Sequence, residues 1–248
     1  MYNPFSLKKK VILVTGASSG IGRATAIECS KMGAELVITA RNEERLKETL
    51  SLLEGEGHQY IVADLSKEEE IDKLVSIIPT LNGVVNNAGF NIVKLLPFIK
   101  TEDMSKMLKL NLEAPILLTN KIVKKKKIIK NASIVFVSSI GKFIVAPGCS
   151  IYSATKGGLS AFMKNAAVDL SGKKIRCNSV LPGMVETPLI LDKETMTEEQ
   201  LNDDKNLYPL KRYGNPEEVA FAIIFLLSDA SGWMTGSEII IDGGRSLK

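Results

Sequence analysis

The sequence predicts an α/β fold of Rossmann type: one doubly wound parallel sheet between two layers of helices, three layers in a single domain. Two observations carry this expectation. Short apolar runs alternate with helix-spaced stretches along the whole chain, and that alternation demands right-handed crossovers and a parallel sheet covered on both faces. The first apolar run also ends in a glycine-bearing turn that opens a helix.

Residues 11–14 form the first strand, and 21–32 a helix that Gly33 stops, as a residue tolerant of positive φ should. A second apolar run covers 36–40, followed by a charged amphipathic helix over 43–53. Strand 60–63, helix 68–78 and a fourth strand centred on 84–85 complete the first half. In the second half a long helix is expected over 104–123, a β-branched strand over 133–137 and another long helix over 152–170. Strand 175–180, helix 216–227 and strand 238–241 finish the pattern. No Gly-, Ser- or Pro-rich linker divides the chain, so all 248 residues read as one unit, with a substrate-covering segment at about 184–210.

Composition excludes several classes. The longest apolar stretch, 219–227, is far shorter than the roughly 18–20 residues that cross a bilayer, so no membrane partner is expected. The first ten residues carry no signal-peptide pattern, and Cys29, Cys149 and Cys177 are an odd, scattered set that suits reduced thiols in a cytoplasm. A single histidine, His58, rules out a His-rich metal site; it falls between a charged helix and a strand and reads as a surface loop residue. The net charge of +4 is too mild to imply nucleic acid.

The first turn reads Thr15-Gly16-Ala17-Ser18-Ser19-Gly20-Ile21-Gly22. Its glycines serve a tight turn, a close backbone approach to a pyrophosphate and close packing of helix on strand, and the helix N-terminus offers free N–H groups to an anion. After the second strand stand Ala40-Arg41-Asn42, where an NAD-binding chain commonly carries an acidic residue. An arginine fork suits a 2′-phosphate, so NADP(H) is favoured over NAD(H); the alternative is that Arg41 is a solvated loop residue.

Further marks follow: Asp64 after the third strand, Asn86-Asn87-Ala88-Gly89 after the fourth, Asn111, Ser139, then Tyr152-Ser-Ala-Thr-Lys156 with the serine 13 residues upstream of the tyrosine. Asn178-Ser-Val-Leu-Pro182-Gly183, Thr187 and Asp242-Gly243-Gly244 close the set. Together these resemble the short-chain dehydrogenase/reductase family of compact, single-domain type, over nearly the whole chain, and are similar to its 3-oxoacyl-[acyl-carrier-protein] reductases. The resemblance implies an oxidoreductase moving hydride between NADP(H) and a carbonyl or secondary alcohol, small or carrier-bound, in a homotetramer with the helices at 104–123 and 152–170 between subunits.

It also implies roles. Tyr152 is the acid–base, Lys156 binds the nicotinamide ribose, Ser139 polarises the carbonyl, and Asn111 anchors a water that leads protons away. Tyr152 and Lys156 lie one helical turn apart, where an ammonium would favour the phenolate of a group whose ordinary pKa is about 10. Cofactor contacts carried over are Gly16, Ser18, Ser19, Gly20, Ile21, Gly22, Arg41, Asn42, Asp64 (adenine), Leu65, Asn87, Ala88 and Gly89, with Pro182, Gly183, Val185 and Thr187 at the carboxamide. Thr187 reads equally as a helix N-cap. The four lysines at 124–127, with Lys130, Lys173 and Lys174, read as a solvated helix end or as a docking patch for an acidic carrier. Cys149 reads as a loop filler, and Ile190, Leu191 and Met196 as the apolar roof of the covering segment. A non-catalytic cofactor-binding regulator is the alternative function.

Overall fold

The computed structural model describes residues 2–188 and 197–247. Seven strands form one sheet in the order β3-β2-β1-β4-β5-β6-β7: β1 (Val11–Thr15), β2 (Glu35–Ala40), β3 (Gln59–Val62), β4 (Leu81–Asn86), β5 (Ile128–Val137), β6 (Arg176–Pro182) and β7 (Glu238–Ile241). Every pairing is parallel. Period-2 alternation along the strands divides the core between the two faces. Leu13, Val37, Val84, Ile134 and Phe136 pack towards α3 (Glu68–Ile77), α5 (Ala114–Lys124) and α6 (Ser150–Asp169). Their neighbours Ile12, Val14, Ile38, Val85 and Val135 pack on the other side, towards α1 (Gly20–Lys31), α2 (Glu43–Ser51) and the helix Pro216–Leu227.

The crossovers run outward in opposite senses from β1 and β4, so a crevice opens at the carboxyl ends of these adjacent strands, the place where open α/β sheets bind ligands. One buried hydroxyl ties the crevice floor. Asn87 N and Ala88 N donate to Thr15 Oγ1 at 2.9 and 3.0 Å, and that hydroxyl donates to Val85 O at 3.2 Å.

The structure departs from the sequence reading in instructive places. The helix expected over 104–123 is α4 (Thr101–Leu108), a π turn over Lys109–Glu113, and then α5. Pro115 has no N–H for the carbonyl of Asn111, and a widened turn accommodates the loss. β5 begins at Ile128 and not at 133, because Ile128 pairs with Leu81 before the register shifts to Gly83 with Ser133. Within 184–210 lies α7 (Glu198–Asn206), opened by a Thr197–Gln200 capping box; Pro216–Leu227 is therefore α8. His58 is no free surface residue. Its Nδ1 accepts from Leu36 N at 3.1 Å, and Nε2 lies 3.0 Å from Glu54 O, stapling β2 to the loop before β3.

Thr15→Val keeps the side-chain shape but strands two backbone donors, so it should lower unfolding free energy by about 2–3 kcal/mol in urea titration.

Candidate active site

The glycine turn is built for close approach. A Cβ on Gly22 would lie 2.2 Å from the Gly16 carbonyl oxygen and 2.5 Å from Asn87 Nδ2. Gly16, at φ +65°, would meet Ala88 Cα at 2.9 Å. Asn87 Nδ2 donates to Thr15 O and Gly16 O at 2.9 and 3.3 Å, binding the turn to the end of β4. Ser19 precedes α1 in extended backbone, and its side chain makes no capping bond. The first-turn N–H groups of α1, beside Ser18 and Ile21, therefore point into the crevice without a side-chain acceptor. Thr187 stands over this helix start, its Cγ2 within 3.0 Å of a Cβ placed on Gly20.

Sequence reasoning missed Arg23, whose guanidinium reaches Ser18 O at 2.8 Å, Thr49 Oγ1 at 3.0 Å and Glu48 Oε2 at 3.0 Å, bracing the turn against α2. Only its place one residue after Gly22 could have drawn attention to it. Arg41 is exposed at the end of β2. Nearby Asp64 is raised by burial, but Ser66 hydrogen bonds and the Arg41 charge outweigh this and hold its carboxyl below the ordinary value. Leu65 is buried beside it. Asn42 is a correction of emphasis: its Oδ1 accepts from Arg45 N at 2.9 Å, so its side chain caps α2.

On the far side of the crevice, Gly183 N donates to Ile241 O at 2.9 Å, and Val185 bridges to Gly214. Tyr208 Oη accepts from Met184 N at 3.1 Å. Pro182, Gly183, Val185 and Thr187 are thus held by β7 and the stretch following α7. Ile190, Leu191 and Met196 fall outside the described residues.

Ser139, Tyr152 and Lys156 come together at the carboxyl end of β5. A Cβ on Gly141 would lie 3.2 Å from Ser139 Oγ and 3.4 Å from Tyr152 Cε1, which brings hydroxyl and ring together on one side of that glycine. Lys156 Nζ is 5.7 Å from the centroid of the Tyr152 ring and donates to Val137 O at 2.7 Å. A Cβ on Gly89 would meet Asn111 Oδ1 at 3.1 Å and Lys156 Nζ at 3.6 Å, so the loop after β4 closes on the same point. Cys149 lines the approach as a free thiol, its Sγ 3.6 Å from Asn91 Nδ2.

The electrostatics differ from the sequence expectation. Burial pushes the Tyr152 phenol above its ordinary value, with Ser139 acting in the opposite sense. Burial also pulls Lys156 down to about 8. Desolvation disfavours both charged forms, and the ammonium is committed to the Val137 carbonyl. Asn111 is also differently employed. It sits in the π turn, its Oδ1 accepts from Phe90 N at 3.0 Å, and its Nδ2 donates to Phe90 O at 2.8 Å. Both amide atoms clamp the loop after β4.

The lysine run is partly occupied. Lys121 pairs with Glu68 and Asp72, Lys125 lies 3.5 Å from Asp72, and Lys127 Nζ donates to Ser76 O and Ile78 O at the end of α3. The run precedes β5, and Lys173 and Lys174 precede β6, so all stand at the strands' amino ends, opposite Tyr152. The ten residues of β5, about 33 Å at full extension, separate that end from the catalytic one. Within one protomer the docking reading loses its geometric basis.

With this geometry in place, comparison with known proteins is decisive about class. Residues 16–246 match the family model described as enoyl-(acyl carrier protein) reductase. The chain belongs to the short-chain dehydrogenase/reductase family, and is an NAD(P)-dependent oxidoreductase. Among its relatives, a 3-oxoacyl-[acyl-carrier-protein] reductase of Mus musculus is 40% identical over 242 residues, 96% of this chain and 98% of that one. The 3-oxoacyl-[acyl-carrier-protein] reductase FabG of Thermotoga maritima is 36% identical over 244 residues, 96% and 98% of the two chains. Levodione reductase superposes with a TM-score of 0.90 at 27% identity, covering 97% of this chain and 99% of that structure.

Lys156→Met should stabilise the fold at pH 7. The folded-state pKa of Lys156, about 8, lies below the ordinary lysine value of 10.5. The wild type therefore carries a burial penalty at pH 7 that disappears as pH rises from 8 through 10.5. Offset by the lost bond to Val137, the gain is about 2 kcal/mol, read by urea denaturation; equal stabilities at pH 7 would contradict the burial argument.

Proposed function

We propose that this chain is an NADPH-dependent reductase of 3-oxoacyl thioesters, with Tyr152 as proton donor. The observation that carries the reading is the convergence of Ser139, Tyr152 and Lys156 at the end of β5, facing the glycine turn across the crevice. The relatives named as 3-oxoacyl-[acyl-carrier-protein] reductases, matched over almost their full lengths, support the substrate class.

The crevice fits a dinucleotide. The space that a side chain on Gly16 or Gly22 would fill is already taken by backbone and the Asn87 amide, so the turn lies flat, and α1 offers first-turn N–H groups for a pyrophosphate. Asp64 and Leu65 would flank the adenine. Arg41 would face a 2′-phosphate, its charge already felt by Asp64. Asn87, Ala88, Gly89 and Lys156 would line the nicotinamide ribose, with Pro182, Gly183, Val185 and Thr187 at the carboxamide. When bound, the nicotinamide supplies the hydride. Ser139 donates to the substrate carbonyl oxygen and polarises it. Tyr152 delivers its proton to the same oxygen as negative charge develops there, and the raised phenol value keeps that proton in place at neutral pH. Lys156 supplies positive charge beneath the ring while it remains protonated, below about 8.

Exposed Met104 on α4 and Val168 on α6 support burial of these helices between subunits of a homotetramer. The three free thiols support a cytoplasmic setting. The family model's description favours a second reading, reduction of an enoyl double bond. Acetoacetyl and crotonyl thioesters offered with NADPH or NADH separate the two. The expected result is oxidation of NADPH by the 3-oxo substrate at least tenfold faster than with NADH, and kcat reduced by about 10²–10⁴ in Tyr152→Phe. Faster turnover of the crotonyl thioester would replace the ketone reading.

The reductive rate should be flat through neutral pH and fall beyond about 8, as Lys156 and then Tyr152 lose protons, while the reverse oxidation gains. A reductive rate that climbs with pH would remove Tyr152 from the donor role.

A further inference from the structure

We propose that Lys142 and Glu238 form a positioning pair for the proton-donating side of this site, an inference that rests on the reductase reading. Lys142 ends the short turn Ile140–Lys142, which directly follows Ser139. Its Nζ lies 2.6 Å from Glu238 Oε1 at the start of β7, 96 residues away, with side chains only 15% and 19% exposed. Lys164 of α6 approaches the other carboxylate oxygen, Oε2, at 3.4 Å. Burial alone would raise the Glu238 carboxyl, yet Lys142, Ser160 and the nearby cations hold it below its ordinary value, so the carboxylate stays charged through neutral pH.

The pair is one end of a polar chain through the protein. Lys142 Nζ donates to Ser160 Oγ at 3.4 Å, Ser160 Oγ and Ser138 Oγ lie 3.1 Å apart, and Ser138 Oγ donates to Lys156 O at 3.1 Å. Ser138 N is held in turn by Val180 O at 2.9 Å. The chain therefore joins β7, the Ser139 turn, α6 and the end of β5. These are the elements that set the distance between the Ser139 hydroxyl and the Tyr152 ring. That distance is tied to the turn: Ser139 Oγ accepts from Gly141 N at 3.0 Å, and a Cβ on Gly141 would touch Tyr152 Cε1 at 3.4 Å. Lys142 and Glu238 touch no reacting atom. They fix the turn on which one of them sits, and a partly desolvated pair is weakly screened and directional enough to do so.

The test compares Lys142→Met, Glu238→Gln, Lys142→Arg and the charge-swapped double variant Lys142→Glu with Glu238→Lys. Two readouts are used, amide hydrogen exchange at Gly141 and steady-state kinetics with the best carbonyl substrate. Lys142→Met and Glu238→Gln should speed exchange at Gly141 by about tenfold while β1 amides keep wild-type protection. The same variants should lower kcat by about tenfold with KM for NADPH and substrate within about twofold, as misplacement of a polarising group does. Lys142→Arg and the charge swap should return both quantities towards wild type. Unchanged exchange at Gly141, or KM rising while kcat holds, overturns the proposal. Exchange does not depend on turnover, so a wild type inactive on every carbonyl offered would refute the reductase reading while leaving the effect of the pair on the turn measurable.

Discussion

The join between the first and fourth strands at their carboxyl ends is the constraint on which the site depends. Adjacent parallel strands that send their crossovers to opposite sides leave backbone N–H groups unpaired just beyond the sheet, and burying them without partners is costly. Thr15 meets this demand with one hydroxyl that takes two donors from the loop after β4 and gives one bond back. Asn87 completes the join by reaching the carbonyls of the glycine turn. The result is a stiff, flat floor with no room for a side chain at Gly22. A ligand resting there meets backbone and the Asn87 amide, and the Ser139, Tyr152 and Lys156 side chains are measured from that floor.

Above it, burial and charge are opposed. Lys156 is 4% exposed and stripped of part of its basicity, and Tyr152 is held towards its neutral form. A fold selected for stability alone would place an apolar side chain at position 156. Keeping an amine there sacrifices folding free energy for a cation beside the Tyr152 ring, the compromise by which active sites are commonly recognised.

Much of this was legible in the chain. The strand–helix alternation, the turn, and the Ser139–Tyr152–Lys156 grouping follow from apolar alternation and from motif spacing, because period and separation are local properties. Residues whose behaviour depends on partners far along the sequence were not legible. Asn111 lies where the resemblance places it, yet its amide is consumed by Phe90, 21 residues earlier. His58 looked solvent-facing because its partners, Leu36 and Glu54, are visible only after β2 and β3 pair. Lys142 attracted no notice because its carboxylate stands on the last strand. Pro115 was a local signal overlooked, enough on its own to break the helix expected through it.

That break has a geometric consequence. A π turn accommodates one residue more than an α-helix running the same path, and one helical residue corresponds to about 100° of rotation about the axis. Regularising Lys109–Glu113 into α-helix with every residue kept would therefore swing α4 by about a quarter-turn relative to α5. Asn111 would swing off the Phe90 backbone, and Leu118 and Ile122 could remain in the core only if Met107 turned out of it. The irregularity works as a phase shifter, allowing one long rod to present its core face and its loop-clamping amide along different bearings.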